Sequence, residues 1–329
     1  MRKFYLLAGL CFFTVALFNC ARESREDENG SEKRYLEAYN QAYYNGSLAP
    51  TASGLYYIEQ IPGTGTIKPQ DAQFAFIQYT EFTMNGNVVN TTDSTWSRQL
   101  GIYADSIYYG PKITGIGLGG TYAGLEEVLK NMTAGGEAKF IMPSWLSGIY
   151  NDQNRQRQSP VIIHVKMTEP VPDIEQWQTD TLEHFRDKHF PGLDSISYNF
   201  YCTVNATDTA NVSDTLDILY VGYLLDGFVF DTNIADTAVK YRIYNRDRTY
   251  APITIIKSSE AAFTDENLSE ISFVEGFKKA LSHMADGDKA HAFFSFQNGY
   301  GTEEQGSRIP AFSQLCFYIE LKIRRYNSE

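Results

Sequence analysis

Phe273-Val-Glu-Gly-Phe-Lys-Lys-Ala-Leu-Ser-His-Met284, followed by Gly287, Tyr300-Gly301 and Leu315-Cys-Phe317, is the stretch whose reading decides the fold. Phe277, Ala280, Leu281 and Met284 fall on one helical face, and the aromatic, alternating run that ends the stretch reads as strand. The order is that of a short helix laid over an aromatic-lined sheet. A weaker copy lies earlier in the chain. There Leu125, Val128, Leu129 and Met132 repeat the helical face, and Asn131 to Ala138 aligns with His283 to Ala290. Gly124 aligns with Gly276, Tyr79 with Tyr220, and the turn Asn85-Gly86 with Asp226-Gly227. An internal repeat fixes the architecture before any other argument. The expected class is α+β, with two tandem domains, each a bent antiparallel sheet wrapped around one short helix.

Length and composition agree with this. A chain of 329 residues exceeds the usual size of a single core. It is 43% hydrophobic and 21% charged, a globular balance, and its 23 Tyr and 21 Phe favour sheets and apolar clefts. Working outward, Asp173 to Phe190 reads as an amphipathic helix after the break Pro170-Val-Pro172, and Arg34 to Tyr44 as its counterpart before the first copy. These helices are expected to pack the domains together or to bracket a client. Strands are expected at 53–59, 73–83, 137–142, 160–167 and 197–204. The spacing between matched anchors places a longer insertion in the second copy, within 234–271. The organisation expected is a signal segment over 1–19, a tether over 20–32, a first domain over 33–170, a connecting helix over 171–194 and a second domain over 195–329.

Arg2-Lys3, the apolar run Phe4 to Phe18 and Leu17-Phe18-Asn19-Cys20 make a signal peptide with a lipobox-like end. The segment resembles bacterial lipoprotein precursors, which implies acylation of Cys20 and a membrane partner reached through that anchor. A secretory signal cut nearby is the alternative. The acidic run Glu23, Glu26, Asp27, Glu28 is similar to export tags of Bacteroidetes lipoproteins, which implies an outer-membrane location in the cell envelope. A formal charge of −12 with no basic stripe disfavours nucleic acid. Beyond the leader, Cys202 and Cys316 remain. They either pair or stay as two buried thiols. The five His are scattered, and Gly115 to Gly120 lacks the Lys-Ser/Thr of a phosphate loop, so neither reads as a metal or nucleotide site.

Four stretches of the second copy resemble the FKBP family of peptidyl-prolyl isomerases. They are Tyr220 to Asp231 with the pair Phe230-Asp231, Phe273-Val274-Glu-Gly276-Phe277, Asn298-Gly-Tyr300-Gly301, and Leu315-Cys-Phe317-Tyr-Ile-Glu320. The resemblance implies a site at Tyr220, Phe230, Asp231, Phe273, Val274, Phe277, Tyr300 and Phe317, with Ile253 as a further wall. Phe277 stands where the family carries tryptophan. No cofactor is implied. Proline-containing segments of exported proteins are the implied partners. The chemistry is coherent by itself. Turning an amide faces a barrier of roughly 18–20 kcal/mol, largely resonance, and the twisted state is less polar than the planar one. A dry aromatic site favours the twisted state, and only such differential binding accelerates the step. In the first copy Tyr79 survives, while Val89-Asn90, Leu125, Gly148 (with Tyr150 nearby) and Ile163 replace the implied site residues. That copy reads as a binding or spacer module. A non-catalytic role of both domains in an envelope complex, or a glycan-binding surface rich in Tyr, are the rival readings.

Overall fold

The computed structural model of the protein describes residues 29–119, 121–148, 159–259, 262–265, 267 and 269–326. The expected signal segment, Cys20 and Tyr150 lie outside them. The expected tether ends early, because helix α1 already begins at Gly30 and runs Gly30–Tyr44. It stops at Asn45, in the left-handed region at φ 53°, which asparagine tolerates. Leu36 points into a cluster with Tyr56, Phe82, Ile141 and Ile162. The Asn40 side chain receives the Leu48 N–H and donates to the Leu48 carbonyl (3.2 and 2.8 Å).

The first sheet contains β1 (Tyr56–Ile61), β2 (Phe74–Thr83), β3 (Val88–Thr91), β4 (Lys112–Gly115), β5 (Glu137–Met142) and β6 (Val161–Val171). Its order is β1-β5-β6-β2-β3, with β4 also on β2. Two short helices accompany it, α2 (Ser94–Gln99) and α3 (Ala123–Leu129). Helix α4 (Ile174–His189) follows, its N-terminus capped by Asp173, which accepts from the N–H groups of Glu175 and Gln176.

The second sheet contains β7 (Phe200–Cys202), β8 (Thr215–Leu224), β9 (Val229–Thr232), β10 (Ile253–Lys257), β11 (Phe263–Thr264), β12 (Lys289–Phe294) and β13 (Leu315–Arg324). Its helices are α5 (Ala235–Lys240) and α6 (Glu275–Leu281). The order β11-β10-β8-β13-β12-β7, with β9 on β8, repeats the first sheet strand for strand except for β11. Every pairing is antiparallel. The α+β expectation therefore holds. The insertion lies later than the middle of its expected span. The interval from Thr91 to Lys112 equals that from Thr232 to Ile253, whereas the connection from Lys257 to Glu275 is longer than that from Gly115 to Ala123.

Alternation along the strands gives each sheet two apolar faces. On one face of the second sheet, α6 packs with Leu216, Ile218, Tyr220, Phe294, Phe317 and Ile319. On the other, Leu182 and Phe185 of α4 meet Tyr201, Phe293 and Cys316. Helix α1 does the same for the first sheet, so it covers its own unit and does not join the two. Helix α4 does join them. Trp177 lies 5.4 Å from the Phe76 ring, and its indole N–H donates to Glu169 (2.8 Å).

The same alternation decides the cysteines. Cys202 sits opposite Ala292 in the α6-side core, while Cys316 sits opposite Phe293 under α4. Both are free and buried, and burial raises both thiol pKa values. Thiol titration in denaturant without reductant, on a chain starting after Cys20, should give both cysteines as free thiols. Gly276 packs so close to the Phe294 ring that a Cβ there would stand 2.4 Å from it. Gly276→Ala should therefore lower stability by about 1–3 kcal/mol, read as a lower denaturant midpoint at unchanged slope.

Candidate functional site

The site grows from a break in one strand edge. Strand β8 pairs with β10 at Thr215 to Ile218 and with β9 at Val221 to Tyr223. Between them Tyr220 has no strand partner on that side, and buried backbone groups need one. Side chains supply it. Asn233 accepts from the Tyr220 N–H (2.8 Å) and donates to the carbonyls of Ile218 (2.8 Å) and Ala251 (3.0 Å), and the Thr232 hydroxyl donates to the Tyr220 carbonyl (2.6 Å). The chain thus leaves the sheet just after Asp231, with α5 and the loop 241–252 held beside it.

That loop returns Arg248 to the site. The Tyr220 hydroxyl donates to Asp231, and Arg248 forms an ion pair with the same carboxylate while also donating to the Tyr220 hydroxyl (3.1 Å). Burial first, and the Asp231 charge second, push the Tyr220 phenol pKa up, so it remains a donor at neutral pH. The hydrogen bond to Asp231 raises that of Arg248 further. Arg248 lies within 234–271, a span in which the sequence implies Ile253 alone. A local signal existed: the loop repeats its tyrosine spacing from the first copy, with an arginine where that copy has Ile107.

Behind this triad stand the rings. Phe277 lies 5.0 Å from both Phe273 and Phe317, Tyr220 lies 5.9 Å from Phe277, and Phe230 meets Phe317 edge-on at 5.7 Å. Tyr220, Phe230, Phe277 and Phe317 are 2–9% exposed, while Phe273 and Val274 are half-buried at the rim. Gly222 permits the crowding: a Cβ there would stand 2.5 Å from the Phe230 ring. Ile253, at the start of β10, packs against the same core. All eight residues implied by the sequence belong to this one region of the second unit.

Two donors near this cluster have no acceptor among the described residues. Val274 caps the N-terminus of α6 in extended geometry, and among the described residues nothing accepts its N–H. Tyr300 is 39% exposed, and its hydroxyl likewise has no hydrogen-bond partner among the described residues. Burial, and then the nearby Asp231 charge, raise its pKa, so it too is a neutral donor.

The first unit keeps the frame and changes the chemistry. Asn90 stands where Asp231 stands and donates to the Tyr79 hydroxyl (3.1 Å). Thr92 replaces Asn233 at the strand break, accepting from the Tyr79 N–H (2.9 Å). Leu125 and Ile163 take the places of Phe277 and Phe317, and Glu81 that of Gly222. Gly148 falls at the Tyr300 position.

Residues 206–322 match the family model described as FKBP-type peptidyl-prolyl cis-trans isomerase. Among curated proteins, the chain is 28% identical over 110 residues to a macrophage infectivity potentiator of Trypanosoma cruzi, covering 33% of this chain and 43% of that relative. The chain thus spans under half the length of the relative it matches. Solved structures with a similar course include FkpA from Escherichia coli (18% identity, 51% of this chain and 72% of that one, TM-score 0.32). A peptidyl-prolyl cis-trans isomerase from Pseudomonas syringae follows (19%, 46% and 94%, TM-score 0.31). The three FKBP domains of wheat FKBP73 are a third (15%, 85% and 100%, TM-score 0.28). With that family match, the carboxy-terminal unit of this chain is an FKBP-type peptidyl-prolyl cis-trans isomerase domain.

Proposed function

We propose that the carboxy-terminal unit isomerises X–Pro bonds in exported proteins, and that the ring cluster around Phe277 receives the proline. The observation that carries this is the presence, beside a cluster of buried rings, of two donors without an acceptor among the described residues, Val274 N–H at the start of α6 and Tyr300 O–H. The donors would hold the carbonyls flanking the proline. The rings of Phe230, Phe273, Phe277 and Phe317 would exclude water from the turning amide, which favours its twisted, less polar state. Asp231 is held in place by Tyr220 and Arg248, so its carboxylate needs no rearrangement as the bond turns. No nucleophile or general base is required, since no covalent bond breaks. Slow proline steps limit the folding of many chains, which gives such an enzyme its use.

The first unit is better read as a non-catalytic module of the same envelope protein. Asn90, Leu125 and Ile163 remove the carboxylate and two rings that the proposed chemistry uses. We place the protein at the cell envelope, held by an acyl group on Cys20. Among the described residues no helix is long and apolar enough to cross a membrane.

In a proline-peptide isomerisation assay on the full chain, Asp231→Ala should lower kcat/KM about tenfold or more, the scale of a lost hydrogen bond to a charged group. Tyr300→Phe, which removes one hydroxyl, should lower it about fivefold. A wild-type rate equal to the uncatalysed one, or indifference to both changes, would sink the proposal. Labelling with palmitate in the native host should mark the wild type and not Cys20→Ala, which should also leave the membrane fraction.

A further inference from the structure

The first unit's loop 100–111 is the counterpart of the loop 241–252 that carries Arg248. Each opens on a left-handed residue, Gly101 (φ 69°) and Arg242 (φ 57°). Each stacks two tyrosines, Tyr103 on Tyr109 (5.1 Å) and Tyr244 on Tyr250 (4.8 Å). Each directs the second tyrosine's hydroxyl to the backbone, Tyr109 to Ile102 (3.4 Å) and Tyr250 to Ile243 (3.5 Å). The fold of the loop is thus conserved within the chain, but its attachment is not. In the second unit Arg248 ties the loop to its own Asp231. In the first, Ile107 and Asn90 occupy those two places, and that ion pair is gone.

The first unit's loop instead reaches the neighbouring unit. Tyr108 buries its ring in the second unit's core, 5.3 Å from Phe228, and its N–H donates to the Ser307 carbonyl (2.9 Å). The Ser106 carbonyl accepts from the Arg308 guanidinium (3.2 Å) and from the Ser307 hydroxyl (3.3 Å). Lys112 pairs with Glu304 (3.1 Å), and Asp105 faces Arg242 (3.8 Å). Residues 300–312, which run from Tyr300 toward β13, are called the flap. Tyr300 lies at its base, Ile309 is buried in the core, and Gln305 pairs with Ile309 across its turn. Arg308 donates a second time, to the carbonyl of Phe230 (2.6 Å), the residue before Asp231. One guanidinium therefore connects the first unit's loop, the flap and the strand that presents the carboxylate.

We propose that loop 100–111 with Lys112 is a positioning element of the second unit's site, so that the first unit, without a site of its own, completes that of its neighbour. The inference rests on the isomerase reading of the carboxy-terminal unit. The physical reason is local stability. Residues 302–307 are exposed, and a surface turn with few contacts opens readily. Docking removes that freedom before a peptide binds, so less ordering remains to be done on binding.

The test uses the full chain, with two readouts: kcat and KM for a proline peptide, and amide hydrogen exchange at Ile309 and Phe312. Tyr108→Ala, which undocks the loop, should speed exchange at both amides and raise KM about fivefold, with a smaller change in kcat. Lys112→Glu sets two carboxylates against each other and should move both readouts the same way, by up to about fivefold. Adding Glu304→Lys should bring both back, a rescue that general destabilisation would not show, and this arm stands if Tyr108→Ala fails to fold. Faster exchange with KM and kcat unchanged would overturn the inference, as would exchange that stays put, or a charge swap that fails to rescue. A wild-type chain without isomerase activity would instead sink the reading beneath it, and this inference with it.

Discussion

The structure turns on the divided edge of β8. A ten-residue strand that is fully paired on its β13 side is shared on the other between β9 and β10, and neither reaches Tyr220. The backbone groups left at the break cannot remain bare in a core, so Asn233 and Thr232 close it with their side chains. That closure fixes where the chain departs. Asp231 is then the last residue but one of a paired strand, beside the Tyr220 phenol, and the loop that follows must come back across it. The Tyr220–Asp231–Arg248 triad is the consequence of a strand edge being shared by two short partners.

Packing sets the second condition. Five rings meet around Phe277 and Phe317 at centroid separations of 5.0–6.3 Å, mostly tilted or edge-on, the arrangement aromatic quadrupoles favour. Such crowding is possible only because Gly222 and Gly276 leave room where a methyl would collide. The first unit meets the same topology with Leu125, Ile163 and Met142 where the second has Phe277, Phe317 and Phe294, so three rings give way to aliphatic or flexible side chains, while Phe140 and Tyr79 remain in its core. Two units of equal architecture thus differ in what their inner faces are suited to hold.

They also differ in where their loops go. A loop with the same internal stacking closes on its own unit when an arginine and an aspartate hold it, and on the neighbouring unit when an isoleucine and an asparagine stand there. Together with Trp177 against Phe76 and Phe74 against Phe312 (5.0 Å, edge-on), the docked loop links the two sheets around the flap.

The repeat, the α+β class, the helical faces of α3 and α6 and the ring-bearing strands were legible in the sequence, because each is a matter of short-range periodicity. Alternation in Thr215 to Leu224 and the face made by Phe277, Ala280, Leu281 and Met284 report burial, and burial is what a period encodes. Motif order singled out eight residues that lie in one region of the second unit. Partners across the chain were not legible. That Arg248 returns to Asp231, that Cys202 and Cys316 lie on opposite faces of one sheet, that α1 covers its own unit, and that Tyr108 enters the neighbour's core were decided by tertiary structure. Each depends on register and on the direction a loop takes after leaving the sheet. These follow from which buried donors and rings remain to be satisfied once the strands have paired, a condition that no local stretch of residues contains.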